Sequence, residues 1–146
     1  MEKTLNINIL MVDKQSIKLG EPLEDFLNLY EEKHKYNVRF CDNYAEALSI
    51  LYGVDIALIE LDLTKEYFMP GDKDFLPWID EENAGYRFLK YLKGEYPDMK
   101  VIMLVDYPAC EEPRPDMPEI LDKGADRYVV KPFVISELVE KIHQVK

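Results

Sequence analysis

The chain has 146 residues, 29 acidic side chains against 18 basic ones, and a formal charge of −11. That length suits one domain with a core that needs no disulfide or metal staple. An apolar share of 47%, with ten Tyr and six Phe, excludes a disordered chain. The acidity argues against nucleic acid or an anionic membrane as main partner, since both are polyanions that select for Lys and Arg. Apolar runs stay well short of the roughly 18 residues of a membrane span, and the N-terminal residues show no secretory pattern. Cys41 and Cys110 stand far apart, with no CxxC and no His at metal-ligand spacing. They read as reduced thiols of a cytoplasmic protein, with a single disulfide as the alternative.

The elements alternate. Leu5–Val12 is an apolar, β-branched run ending at Asp13 and predicts a buried strand. Gly20, Glu21 and Pro22 read as punctuation before a helix with Leu23, Phe26, Leu27 and Tyr30 at helical spacing, ending near Lys33. Asn37–Cys41 is a short strand, and Asn43 is placed to cap a helix through Leu51. Val54–Leu61 is the third strand. A turn-rich stretch over 62–82 leads to a helix over 83–94, and Lys100–Val105 is the fourth strand. Pro108, Pro113, Pro115 and Pro118 then leave room for a short helix near Glu119–Lys123. Arg127–Val130 is the fifth strand and Val134–Val145 a last amphipathic helix. Strands alternating with helices imply right-handed βαβ units, an α/β fold with a parallel sheet and helices on both faces. Functional groups of such sheets sit at the carboxyl ends of the strands, so Asp13, Lys14, Glu60 to Asp62, Val105, Asp106 and Lys131 are the candidates.

The segments Ile-Leu-Met-Val-Asp13, Asp-Ile-Ala-Leu-Ile-Glu60 and Val-Ile-Met-Leu104 carry a resemblance. So, above all, does Lys-Gly-Ala-Asp-Arg-Tyr-Val-Val-Lys131-Pro132-Phe133. Together these stretches resemble the receiver domain of two-component response regulators over essentially the whole chain, 1–146. The resemblance implies a doubly wound, flavodoxin-like five-stranded sheet in order 2-1-3-4-5. It also implies a site in which an Asp ending strand three attacks a phosphoryl group. Mg²⁺ is held there by acids after strand one and by that Asp, while a hydroxyl ending strand four and a Lys ending strand five hold the phosphoryl oxygens.

Carried over by position, Asp13 matches the first acid, Lys131 the lysine, with Pro132 after it, and Tyr128 the switch aromatic. Three positions depart. Lys14 stands in place of a second acid, Glu60 in place of the phosphoacceptor Asp, and Val105 in place of the hydroxyl. The extra methylene of Glu60 displaces its carboxylate by about an ångström, and misplacement of that size costs around 10²-fold in a reaction built on positioning. The same lengthening aims the carboxylate at Lys131 and Lys14. The expectation is a pseudo-receiver in which a Lys14–Glu60–Lys131 cluster replaces cation and phosphate, with no cofactor.

Other readings remain open. In one, Asp62 or Asp13 is the acceptor, and Asp13 and Asp62 bind Mg²⁺ weakly. In another, Glu60 is a solvated strand-end carboxylate without a partner. A more distant one is a haloacid-dehalogenase-type phosphatase, from the resemblance of Glu60-Leu-Asp62-Leu-Thr64 to a DxDxT strand end. Relative to the receiver pattern, extra residues fall near 19–22, in an enlarged loop 62–82 rich in aromatics, and in a Pro-rich loop 106–118. The enlarged loop reads as either a lid or a docking surface. With no effector domain expected after the last helix, output is expected through protein contact. The partner would be a protein with a basic surface, a sensor kinase, or a second copy in a homodimer. Residues 60–82 hold eight acids and two lysines, and residues 106–122 six acids and one arginine. These two stretches therefore carry the whole net charge of −11, and the rest of the chain is neutral.

Overall fold

The structure, a computed structural model, describes residues 5–29, 33–61, 84–106, 117–131 and 133–145. Its elements are β1 (Leu5–Val12), α1 (Ser16–Leu29), β2 (His34–Cys41), α2 (Tyr44–Ser49) and β3 (Ile56–Glu60), followed by α3 (Ala84–Glu95), β4 (Lys100–Asp106), α4 (Met117–Asp122), β5 (Arg127–Lys131) and α5 (Ile135–Val145). The five strands pair in parallel in the order β2-β1-β3-β4-β5.

Alternating side chains divide between two cores, as the two-residue period of a strand dictates. Leu10, Val12, Ala57, Ile59, Val101, Met103 and Val105 pack toward Tyr44, Phe88, Leu92 and Ile120 of α2, α3 and α4. Ile9, Met11, Ile56, Leu58, Ile102 and Leu104 pack toward Leu23 and Leu27 of α1 and Leu138 and Ile142 of α5. Both faces are covered, which is why β3 is buried at all five of its positions. The register sets Val12 beside Ile59, Glu60 beside Leu104 and Asp106 beside Lys131, so the carboxyl ends of β1, β3 and β5 converge on one edge.

Two elements start three or more residues earlier than expected. The helix expected to begin after Gly20-Glu21-Pro22 begins at Ser16 and runs through them. Leu19, Leu23 and Leu27 form one apolar stripe against the core, and its burial outweighs the single hydrogen bond that Pro22, exposed within the helix, cannot make. Gly20 is there for proximity: a Cβ would overlap the Phe40 ring of β2. The strand expected from Asn37 begins at His34. Asn28 of α1 clamps Tyr36, its Oδ1 accepting from the Tyr36 N–H at 2.8 Å and its Nδ2 donating to the Tyr36 carbonyl at 2.9 Å. The Glu24 carboxylate accepts from the Val38 N–H at 2.7 Å. Side chains of α1 thus satisfy backbone groups of the edge strand, which supports pairing three residues earlier than hydrophobicity alone indicates.

Gly85 fixes how α3 meets the sheet. A Cβ there would run into the Leu61 carbonyl and lie 2.9 Å from Leu61 Cα, and a backbone cannot give way as a side chain can. Gly85→Ala should therefore destabilise the domain by about 1–3 kcal/mol in urea unfolding, although Ala is the better helix former by about 1 kcal/mol.

Candidate functional site

Glu60 is the last residue of β3 and its side chain is wholly buried; Asp13, just past β1, is wholly buried too. Two carboxylates withdrawn from water need compensating donors. Lys131, the last residue of β5, lies between them. Its Nζ is 2.6 Å from Asp13 Oδ2 and 3.2 Å from Glu60 Oε1, with only 11% of its side chain exposed. The Glu60 contact is also a hydrogen bond, whereas the shorter Asp13 contact is an ion pair by distance and lacks hydrogen-bond direction. The Lys14 backbone N–H donates to Glu60 Oε2 at 2.9 Å, and Lys14 Nζ lies 3.5 Å from Oε1 at the partly open mouth. The Gln15 N–H donates to Asp13 Oδ1 at 2.7 Å.

The arrangement holds two carboxylates and two ammonium groups, neutral when all are ionised. Burial pushes the Glu60 carboxyl above its ordinary range, and the neighbouring Asp13 charge pushes the same way. The Lys14 N–H and the Lys131 ammonium pull it back without cancelling the rise.

The backbone under Glu60 is anchored from α2. Asn43 caps that helix, accepting from the Glu46 N–H at 2.7 Å, as its place in the sequence suggests. The next residue, Tyr44, is wholly buried and donates its hydroxyl proton to the Glu60 carbonyl at 2.6 Å, with the Leu61 carbonyl at 3.3 Å. Its ring stacks on Phe88 of α3 at 4.9 Å. Tyr44 was not among the sequence candidates, because a tyrosine after a capping residue reads as core. The clasp on Asp13 by the Gln15 N–H is a backbone contact that no residue type announces.

Of the candidates from sequence, Asp13, Lys14, Glu60 and Lys131 meet. The reading of Glu60 as a solvated carboxylate is corrected: it is buried and paired, because β3 delivers it between two lysines. Val105 is wholly buried, offers no hydroxyl, and pairs with Val130. Tyr128 is partly buried against the core beneath α2, α3 and α4, outside the ion-pair cluster. Asp62, Pro132 and almost all of the 62–82 and 106–118 loops lie outside the described residues. Among the described residues no group of three or more His, Cys, Asp or Glu is gathered as metal ligands. No helix among them is long and apolar enough to cross a membrane. Cys41 is a free, buried thiol whose pKa burial pushes up to about 12, so it is not a nucleophile at neutral pH.

No family model matches the chain, and no curated protein matches it in sequence. Solved structures do match. A response regulator from Thermotoga maritima is similar with a TM-score of 0.63 and 20% identity, over 97% of this chain and 98% of that one. A CheY-like response regulator receiver domain protein from Methanospirillum hungatei is similar with a TM-score of 0.66 and 23% identity, over 97% and 93%. The signal receiver domain of a DNA-binding response regulator from Colwellia psychrerythraea is similar with a TM-score of 0.66 and 15% identity, over 95% and 97%. The chain has the flavodoxin-like fold of response regulator receiver domains, in the 2-1-3-4-5 order expected from its sequence.

The cluster makes two predictions. A carboxyl whose pKa is raised on folding binds its proton more tightly in the native state, so stability falls as pH rises from the ordinary value of 4.5 through the raised one. Unfolding free energies measured against pH should show wild type losing stability relative to Glu60→Gln across that window, with a constant difference below it. Lys131→Met leaves two adjacent buried carboxylates without their ammonium and should cost about 3–5 kcal/mol at neutral pH. Part of that loss should return in mild acid, where Glu60 takes up its proton.

Proposed function

We propose that this chain is a receiver-like signal-transduction module that acts through protein contact and without phosphoryl transfer. The observation that carries the reading is the Lys131 ammonium, within 3.2 Å of both Asp13 and Glu60. In the resemblance drawn from the sequence, that lysine faces a phosphoryl group; here it meets the Glu60 carboxylate instead. Here both carboxylates at the strand ends are already ion-paired, and a third cationic group, Lys14, flanks Glu60. Mg²⁺ would have to displace an ammonium from a buried pair before it gained a ligand, so Asp13 and Glu60 do not suit it. Glu60 itself is too long for the attack geometry, and Val105 provides no donor for a phosphoryl oxygen. The module is read as non-enzymatic, cytoplasmic and a single domain.

The acidic stretches 60–82 and 106–122 support a partner with a basic surface, and a sensor kinase fits the same reading. Receiver domains among the similar structures belong to response regulators, some of them DNA-binding; DNA binding by this chain itself is disfavoured by its charge.

The test uses the intact chain with Mg²⁺ and acetyl phosphate or beryllofluoride, followed by intact mass and by fluorescence of Trp78, the single tryptophan. Unchanged mass and unchanged fluorescence are expected. A stable gain of one phosphoryl group, abolished by Asp62→Asn or Asp13→Asn, would replace this reading with that of a working phosphoacceptor receiver.

A further inference from the structure

The amino end of the sheet, opposite the strand-end cluster, is stepped. β1 pairs with β2 from Leu5 onward, but its first pair with β3 is Ile9 with Ile56, and β4 starts level with Ile56 at Lys100. Leu5 to Asn8 therefore have a neighbouring strand on one side only, a step about 13 Å deep at strand spacing. An open hollow of about 540 Å³ lies in it. Leu5 and Asp13 give their N–H groups to Lys33 and Cys41, so the odd-numbered residues of β1 turn their backbone groups to β2 and the even-numbered ones to the step. Asn8 is satisfied there: its N–H donates to Asp55 Oδ2 and its carbonyl accepts from the Asp55 N–H, both at 2.8 Å. Among the described residues nothing engages the N–H and C=O of Asn6 in this way. The floor of the hollow is apolar. Leu5, 61% exposed, and Ile7 share one face of β1, and Ile56 and Val145 of α5 complete the lining.

We infer that this step docks a short extended segment of a partner protein, which adds as a strand beside Leu5–Asn8 and alternates apolar with basic side chains. The N–H and C=O of Asn6 offer the pair of hydrogen bonds that an added strand takes up. The outer edge of β2 is closed to such a strand, because Asn28 and Glu24 hold the backbone of Tyr36 and Val38. The two-residue period of an added strand lays one side chain on the apolar floor and turns the next away from it. Charge selects the polar residues. The charged lining is two carboxylates, Asp55 and Asp98, against one ammonium, Lys100, with the His34 imidazole beside them. The whole chain carries −11, which attracts a basic segment and repels a second, equally acidic copy. The step lies at the other end of the sheet from Asp13, Glu60 and Lys131, and the inference is independent of whether that cluster accepts phosphate.

The experiment measures fluorescence anisotropy of a fluorescein-labelled hexapeptide alternating lysine and valine, titrated with the full chain. Two further peptides are compared: a glutamate–valine counterpart, and the lysine–valine peptide methylated on its backbone nitrogens. Saturable binding of the unmethylated basic peptide alone is expected. Asn6→Pro removes the N–H that faces the step and leaves the odd-numbered residues of β1 to pair with β2, so it should weaken binding about tenfold or more. Asn6→Thr keeps that N–H and should bind as wild type does. Methylation and Asn6→Pro leave every charge in place, so general attraction to an acidic chain does not respond to either. Absence of saturable binding overturns the proposal, as does equal binding by the methylated peptide, by the glutamate peptide or by Asn6→Pro. Concentration-dependent self-association abolished by Asn6→Pro, read by sedimentation, also overturns it and assigns the step to a second copy.

Discussion

Two carboxylates taken wholly out of water at the end of one sheet set the terms for the surrounding structure. Asp13 and Glu60 lie side by side past β1 and at the end of β3, and each would be costly to bury charged and alone. The Lys131 ammonium, brought in by β5, approaches both. β4 lies between β3 and β5 in the sheet, so the pairing crosses a strand and ties the carboxyl end of the sheet together. Such a cluster adds little net energy compared with a well-packed apolar replacement, but removal of one member leaves an uncompensated charge. It specifies the arrangement of the strand ends more than it strengthens them.

The rest of the architecture supports that edge. Tyr44 holds the carbonyl of Glu60 from α2, its ring stacks on Phe88 of α3, and Gly85 lets the first turn of α3 lie against Leu61. Phe88 in turn stacks on Tyr91 at 6.4 Å. Aromatic packing therefore runs from the backbone of the buried carboxylate to the outer face of α3. At the far edge of the sheet, α1 seals β2 with Asn28 and Glu24, so charged and amide side chains satisfy backbone groups that a further strand would otherwise engage.

Much of this was legible in the sequence because strand ends are legible. Apolar runs end around Asp13, Glu60 and Lys131, and a parallel α/β sheet gathers such ends on one edge, so order alone made these residues candidates. The receiver resemblance supplied the meeting of Glu60 with Lys131 and Lys14, and the pairing of Asp13 with Lys131 was not foreseen. The lengthening of Asp to Glu at position 60 indicated its reach toward the lysines. What stayed hidden depends on three-dimensional proximity. Gly20 and Pro22 read as a break, but a stripe of leucines carries α1 through them, and Gly20 serves the approach of Phe40. The first residues of β2 are polar, and their pairing is supported by hydrogen bonds from Asn28 of α1, eight residues before Tyr36 in the chain, that no periodicity encodes.

In the proposed reading, the Asp13–Lys131–Glu60 cluster permanently occupies the place of a cation and a phosphoryl group. The most direct measurement is a set of ¹H–¹⁵N correlation spectra of the chain, recorded as beryllofluoride and Mg²⁺ are added together. The Lys14 amide is hydrogen-bonded to Glu60 and the Gln15 amide to Asp13, while Val105 and Lys131 lie toward the carboxyl ends of β4 and β5. The account predicts that these signals stay where they are. Saturable shifts of the Lys14 and Val105 amides on addition of both components, absent with Mg²⁺ alone, would contradict it.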